Sequence, residues 1–172
     1  MNRIYLIGFM GVGKSTIGKK LANKLNYNFV DIDELFENKY KVSINAFFEK
    51  YGEKLFRELE NKLLYDTFSY EKTIISTGGG TPCYRDAIDD INSYGTSIYL
   101  RMPTEALINR LENAIRPRPL IKGKSHDEIK SDVEKLLAER EQYYNKANII
   151  FDAISPDVDK LLLTVESHMD KI

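Results

Sequence analysis

RIYLIGFMGVGKSTIGKKLANKL, residues 3–25, decides the fold class. Ile4 to Ile7 form a continuous apolar run, which suits a strand buried on both faces. From Ile17 the period changes, and Ile17, Leu21 and Leu25 fall on one face of a helix. Between strand and helix lie Gly8 to Gly13 and then Lys14, Ser15 and Thr16. Gly8 to Ser15 satisfies G-x-x-x-x-G-K-[ST] at every fixed position. Glycines let the backbone wrap closely with its amides turned inward as an anion nest. The helix N-terminus adds positive potential. A lysine can reach the β- and γ-phosphates and a serine can ligate magnesium. Gly11, Val12, Gly13, Lys14, Ser15 and Thr16 are therefore the expected nucleotide-phosphate contacts.

Four more runs rich in β-branched and aromatic residues follow: NFVDI (28–32), TIIST (73–77), SIYL (97–100) and NIIFD (148–152). Helical spacing separates them, through Leu55, Leu59, Leu63 and Leu64, then Leu107 and Leu111, then Val133, Leu136, Leu137 and Tyr144. Strands alternating with helices predict an α/β fold with a five-stranded parallel sheet flanked by helices on both faces, in three layers. The 172 residues are read as one domain, 1–172. Two regions break the alternation. Residues 33–72 hold too much helix for one crossover, and residues 114–126 are irregular, basic and proline-containing. Either a mobile lid or a solvated surface loop accounts for the second.

The charge balance, 25 Lys and Arg against 26 Asp and Glu, argues against a nucleic-acid footprint. One cysteine, Cys83, cannot form an internal disulfide, and no Cys/His set has zinc spacing. No apolar run reaches membrane-spanning length, and the N-terminal apolar run leads into a glycine loop rather than a cleavage segment. A cytoplasmic protein with neither nucleic acid nor membrane as partner is expected.

Asp31 and Asp33 stand at the end of the second run. As strand residues they would share a side and face the ligand crevice. The third run, TIISTGGG, ends with no acid, so Asp31 is the candidate for the magnesium water shell. Asp33 is then left to orient an acceptor hydroxyl or take its proton, or else only to cap the next helix. Arg57 lies one turn before Glu60, which in isolation is an ordinary surface ion pair. Gly78 to Gly80 either make a tight turn or present bare amides to a polar ligand. Among Arg110, Arg116, Arg118 and Arg140, composition does not choose.

Taken together and in this order, GFMGVGKSTIGKKLA, FVDIDELFE, FRELE, ISTGGG, RPLI and ERxxYY resemble the shikimate kinase family, from Ile4 to about Asp152. The resemblance implies transfer of the ATP γ-phosphoryl group to the 3-hydroxyl of shikimate, on the route to chorismate and the aromatic amino acids. It implies an NMP-kinase-like fold, a substrate-binding region at 33–61, a lid at 112–126 and a monomer. It matches Asp33 to the shikimate-binding aspartate that serves as base, and Lys14, Asp33 and Arg118 to the catalytic set. Arg57 and Arg140 match the arginines for the substrate carboxylate. Gly78, Gly79 and Gly80 match the run beside the substrate ring, and Phe48 and Phe56 its aromatic wall. Ser15 and Asp31 match the Mg2+ positions. Arg110 matches the arginine that stacks on adenine, opposite Ile154 to Pro156. Arg118 fits the R-P-L register of the lid, with Arg116 as the fallback. A kinase for gluconate or a nucleoside monophosphate, and a non-catalytic ATP sensor, are the competing readings.

Overall fold

The computed structural model describes residues 3–113 and 123–170. Arg116 and Arg118 lie outside the described residues. Five strands form one parallel sheet: β1 (Arg3–Ile7), β2 (Asn28–Asp31), β3 (Thr73–Ser76), β4 (Thr96–Arg101) and β5 (Ile149–Asp152), in the order β2-β3-β1-β4-β5. Seven helices are described: α1 (Lys14–Leu25), α2 (Ile32–Tyr40), α3 (Ile44–Asp66), α4 (Ala87–Tyr94), α5 (Thr104–Glu112), α6 (His126–Tyr144) and α7 (Val158–Met169). The expected α/β architecture is the observed one. None of the described helices is long and apolar enough to cross a membrane.

The period-two geometry of a strand divides β1 between two cores. Ile4 and Leu6 pack with Ile17 and Leu21 of α1 and with Leu161 and Val165 of α7. Tyr5 and Ile7 pack on the opposite face with Phe36 of α2, Leu63 and Leu64 of α3, and Ile88 and Ile91 of α4. Both faces of the sheet are covered, which explains why the strands read as continuous apolar runs.

The strand order also locates the crevice. From β1 the chain moves to β2, with β3 between them. From β3 it moves back past β1 to β4. The two crossovers run on opposite faces of the sheet, α1 on one and α4 on the other, and a cleft opens outside the carboxyl ends of β1 and β3, as the rule for open α/β sheets requires. The two glycine runs follow these two strands directly. Thr77 at the head of the second run donates both its N–H and its Oγ1–H to Leu6 O, each at 3.1 Å, and so locks the runs side by side.

Two local expectations are corrected. Leu55 does not share the buried face of α3, because that face runs through Phe56, Glu60, Leu63 and Leu64 and leaves Leu55 at its margin, in the first turn after the break at Gly52 (φ 79, ψ 167). The buried residues are Phe47, Phe56, Glu60, Leu63 and Leu64, and Leu55 is exposed. Strand β2 ends at Asp31, so Asp33 is not a strand residue. It is the second residue of α2. The helix cap is Asp31, whose Oδ1 accepts the Asp33 N–H at 3.0 Å. Asp33 is thus neither the strand partner of Asp31 nor the cap.

Candidate active site

Gly8, Gly11 and Gly13 take φ of 137, 82 and 100, backbone that other residues adopt only with strain. The loop they permit turns from β1 into α1 within six residues and leaves the first amides of α1 facing the crevice. Lys14 folds back over the loop, and its ammonium donates to Gly8 O at 2.8 Å and Phe9 O at 2.9 Å. Ser15 donates its hydroxyl to Asp31 Oδ2 at 2.6 Å. The first turn of α1 and the end of β2 are therefore joined through a hydroxyl and a carboxylate.

A cleft of about 230 Å³ opens there, lined among others by Lys14, Ser15, Thr16, Asp31, Asp33 and Gly79. Gly11 and Gly13 border it as well, whereas Val12 between them buries its side chain in the core.

The second glycine run is the floor on which four charged side chains meet. A methyl group on Gly78 would clash with Glu60 Oε1 and come within 3.2 Å of Asp33 Oδ1. One on Gly79 would come within 3.2 Å of Arg140 Nη1. One on Gly80 would sit 2.5–2.7 Å from three atoms of the Arg57 guanidinium. The run is bare because side chains from α2, α3 and α6 occupy the space its own would take. Tyr144 fixes the run from the far side by donating its hydroxyl to Gly79 O at 2.5 Å.

Arg57 and Glu60 are not an ordinary surface pair. Glu60 is 1% exposed, accepting from Arg57 Nη1 at 2.7 Å and from Thr81 Oγ1 at 2.7 Å. Arg57 also donates Nε–H and Nη2–H to Glu53 Oε1, each at 3.2 Å, and its guanidinium lies 5.1 Å from the centre of the Phe56 ring. Burial pulls the Arg57 pKa down, and the Glu60 and Glu53 carboxylates more than offset it, so the pKa stands above its ordinary value. Phe48 packs on Phe56 with ring centres 4.5 Å apart and extends the apolar wall. Across the run, Arg140 Nη1 is buried with no hydrogen-bond partner. A buried donor left unsatisfied is costly, and the planar fork of an arginine suits a carboxylate.

Glu60 is the functional residue that the sequence reading undervalued. It falls on the same helical face as Phe56, Leu63 and Leu64, and a carboxylate on an apolar face was the signal. Cys83 adjoins the same charges. Burial pushes its thiol up to about 11 against the pull of Arg140 and Arg57, which leaves it no nucleophile at neutral pH.

Arg110 lies apart from these residues. It donates to Val12 O at 3.1 Å and to Ile154 O at 3.2 Å, tying the first glycine loop to the segment after β5. Arg110 and Ile154, expected on opposite faces of one ring, are thus neighbours.

A phosphate nest opposite a floor with two guanidinium groups and two carboxylates defines a P-loop phosphotransferase with a small polar acceptor. The shikimate kinase family profile matches residues 10–167. A shikimate kinase of Azobacteroides pseudotrichonymphae is 48% identical over 152 residues, 88% of this chain and 89% of that one. The crystal structure of shikimate kinase from Bacteroides thetaiotaomicron superposes with a TM-score of 0.91 at 34% identity, covering 98% of each chain. Shikimate kinase from Acinetobacter baumannii in complex with shikimate gives a TM-score of 0.87 at 28% identity, covering 99% of this chain and 94% of that one. The chain belongs to the shikimate kinase family, and its class is that of a phosphotransferase acting on an alcohol group.

The bare floor yields a direct prediction. Gly80→Ala places a methyl group inside van der Waals contact of the Arg57 guanidinium, which must move. The Michaelis constant for the acceptor should rise at least about tenfold, since a misplacement near 1 Å costs up to about 100-fold. The constant for ATP should not change. Steady-state kinetics with each substrate varied in turn checks both.

Proposed function

We propose that the cleft between the two glycine runs transfers the γ-phosphoryl group of ATP to the 3-hydroxyl of shikimate, giving shikimate 3-phosphate and ADP. One observation carries the acceptor assignment: the partnerless buried Nη1 of Arg140 and the Arg57 guanidinium converge on the backbone of Gly79 and Gly80. Two guanidinium groups on a glycine floor suit a small carboxylate ligand. An acceptor held there by its carboxylate would lie along Phe48 and Phe56 and turn its hydroxyls toward Asp33. Gly78, Gly79 and Gly80 contribute bare backbone beside its ring.

In this reading Asp33 orients the reacting hydroxyl and accepts its proton. Lys14 neutralises charge on the phosphates, and the amides of Gly11 to Thr16 cradle them. Arg110 and the Ile154 to Pro156 segment flank the adenine, and Arg118, with Arg116 as fallback, is the third catalytic residue, assigned to the lid at 112–126. The substrate-binding region is 33–61, and the working unit is a single chain acting as a monomer.

The donor set fits Mg2+. Ser15 Oγ and Asp31 Oδ2 are hard oxygens 2.6 Å apart beside the phosphate nest. Among the described residues no group of three or more His, Cys, Asp or Glu side chains forms a full cage. Magnesium needs none, because it is commonly held by one or two protein groups with water and phosphate oxygens. Ser15 and Asp31 would hold it, the latter through water. When bound, the ion supplies positive charge to the phosphate oxygens.

ADP release by the purified protein with Mg-ATP tests the reading, with shikimate, gluconate and a nucleoside monophosphate as separate acceptors. A rate that rises only with shikimate is the expected result. A rise only with another acceptor, or none at all, would overturn it.

A further inference from the structure

The Arg57 guanidinium is already occupied on two edges by carboxylates of opposite character. Glu60 is buried, and its contact through Nη1 is short. Glu53 is 64% exposed in its side chain and accepts from Nε and Nη2 through one oxygen at the longer distance of 3.2 Å. The Nε–Nη2 edge is one that a carboxylate can grip in two-point fashion.

Glu53 also stands where the chain can give. It directly follows Gly52, whose φ of 79 interrupts α3, and a methyl group on Gly52 would meet nothing within 4 Å. The residue contributes one exposed contact that can be exchanged, whereas Glu60 is fixed by Thr81 as well as by Arg57.

We propose that Glu53 is a placeholder for the acceptor's carboxylate: in the acceptor-free enzyme it holds the Arg57 edge that the substrate carboxylate takes, and binding displaces it. This rests on the assignment of Arg57 to the substrate carboxylate. The placeholder keeps the guanidinium aimed at Gly80 between turnovers. A neutral ligand has to bind beside an arginine still engaged by Glu53. The placeholder therefore weakens the binding of every carboxylate acceptor and leaves neutral ones untouched.

The test is calorimetric titration of shikimate and of its neutral carboxamide into ATP-free enzyme, with steady-state kinetics alongside. Glu53→Gln keeps the shape and weakens the competition. It should bind shikimate about 1.5- to 5-fold more tightly, the range open to one exposed ion pair. Its affinity for the carboxamide should not change, and the Michaelis constant for shikimate should fall with kcat and the constant for ATP unaltered. Glu49→Gln removes the same charge from an exposed position of the same helix and should change neither affinity. Weaker or unchanged shikimate binding by Glu53→Gln would overturn the proposal, as would equal tightening of the carboxamide or an equal effect of Glu49→Gln. An Arg57→Gln arm separates the two levels. If it binds shikimate as the wild type does, the Arg57 assignment itself fails. If it binds shikimate weakly while Glu53→Gln shows no gain, only the placeholder fails.

Discussion

Asp33→Asn lowers kcat for shikimate by about 10²- to 10⁴-fold, the range for loss of a positioned general base, and leaves the Michaelis constant for ATP unchanged. The substitution is isosteric. An asparagine can still accept a hydrogen bond from the acceptor hydroxyl through its carbonyl oxygen, but it cannot remove the proton. The cap of α2 is Asp31, which bonds the backbone N–H of residue 33 and not its side chain. An acid in the first turn is worth at most about 2 kcal/mol to the helix. ATP binding is spared because Lys14, Ser15 and the glycine-loop amides keep their own contacts. Equal losses in kcat and in ATP affinity would show that Asp33 acts through Asp31 and the phosphate loop. An unchanged kcat would remove it from the reaction. Thermal melting of the variant separates either result from unfolding.

The architecture was legible because its strands are short apolar runs covered on both faces, and such runs differ sharply from the amphipathic helices between them. The phosphate loop was legible because its glycines and lysine have fixed chemical duties at fixed spacing. What failed was local phase. Reading Asp31 and Asp33 as strand neighbours assumed that β2 continues past Asp31, but the Asp31 side chain ends the strand by capping α2. Grouping Leu55 with Leu59 and Leu63 set the buried stripe of α3 off centre, since the stripe follows Phe56, Glu60, Leu63 and Leu64 and leaves Leu55 exposed at its margin. Helices α4 and α7 drew no expectation, since AIDDINSY and VDKLLLTVESHM are short amphipathic stretches whose faces are set by the sheet they cover. The meeting of Arg57, Arg140, Glu60 and Asp33 on one glycine floor has no local signature. It depends on three helices arriving over one strand end, which is a property of the strand order.

Glu60→Ala should be the most destabilising single change at this site, at about 3 kcal/mol, and should also raise the Michaelis constant for shikimate. Breaking a buried ion pair by removing one partner costs about 3–5 kcal/mol, because the remaining charge is left without its compensation. Here the low end applies, since Arg57 keeps its second carboxylate, Glu53. The loss has another source in Thr81, a buried hydroxyl that donates to Glu60 Oε1 and would lose its acceptor. For a chain of this length, 1 kcal/mol shifts the melting midpoint by about 2–4 °C, so a fall of about 6–12 °C is expected. Two effects on the acceptor compete. Removing a negative charge beside Arg57 favours an anionic ligand electrostatically. Releasing Arg57 from its anchor lets the guanidinium leave the Gly80 floor, and a displaced contact costs more than the removed charge returns. The acceptor constant should therefore rise, with the ATP constant unchanged. Glu60→Gln distinguishes the causes. Its amide oxygen can still accept from Arg57 or Thr81, so it should recover a substantial part of the lost stability and acceptor affinity. A Glu60→Ala variant that melts with the wild type would mean that the pair is no more than the surface contact its i, i+3 spacing suggested.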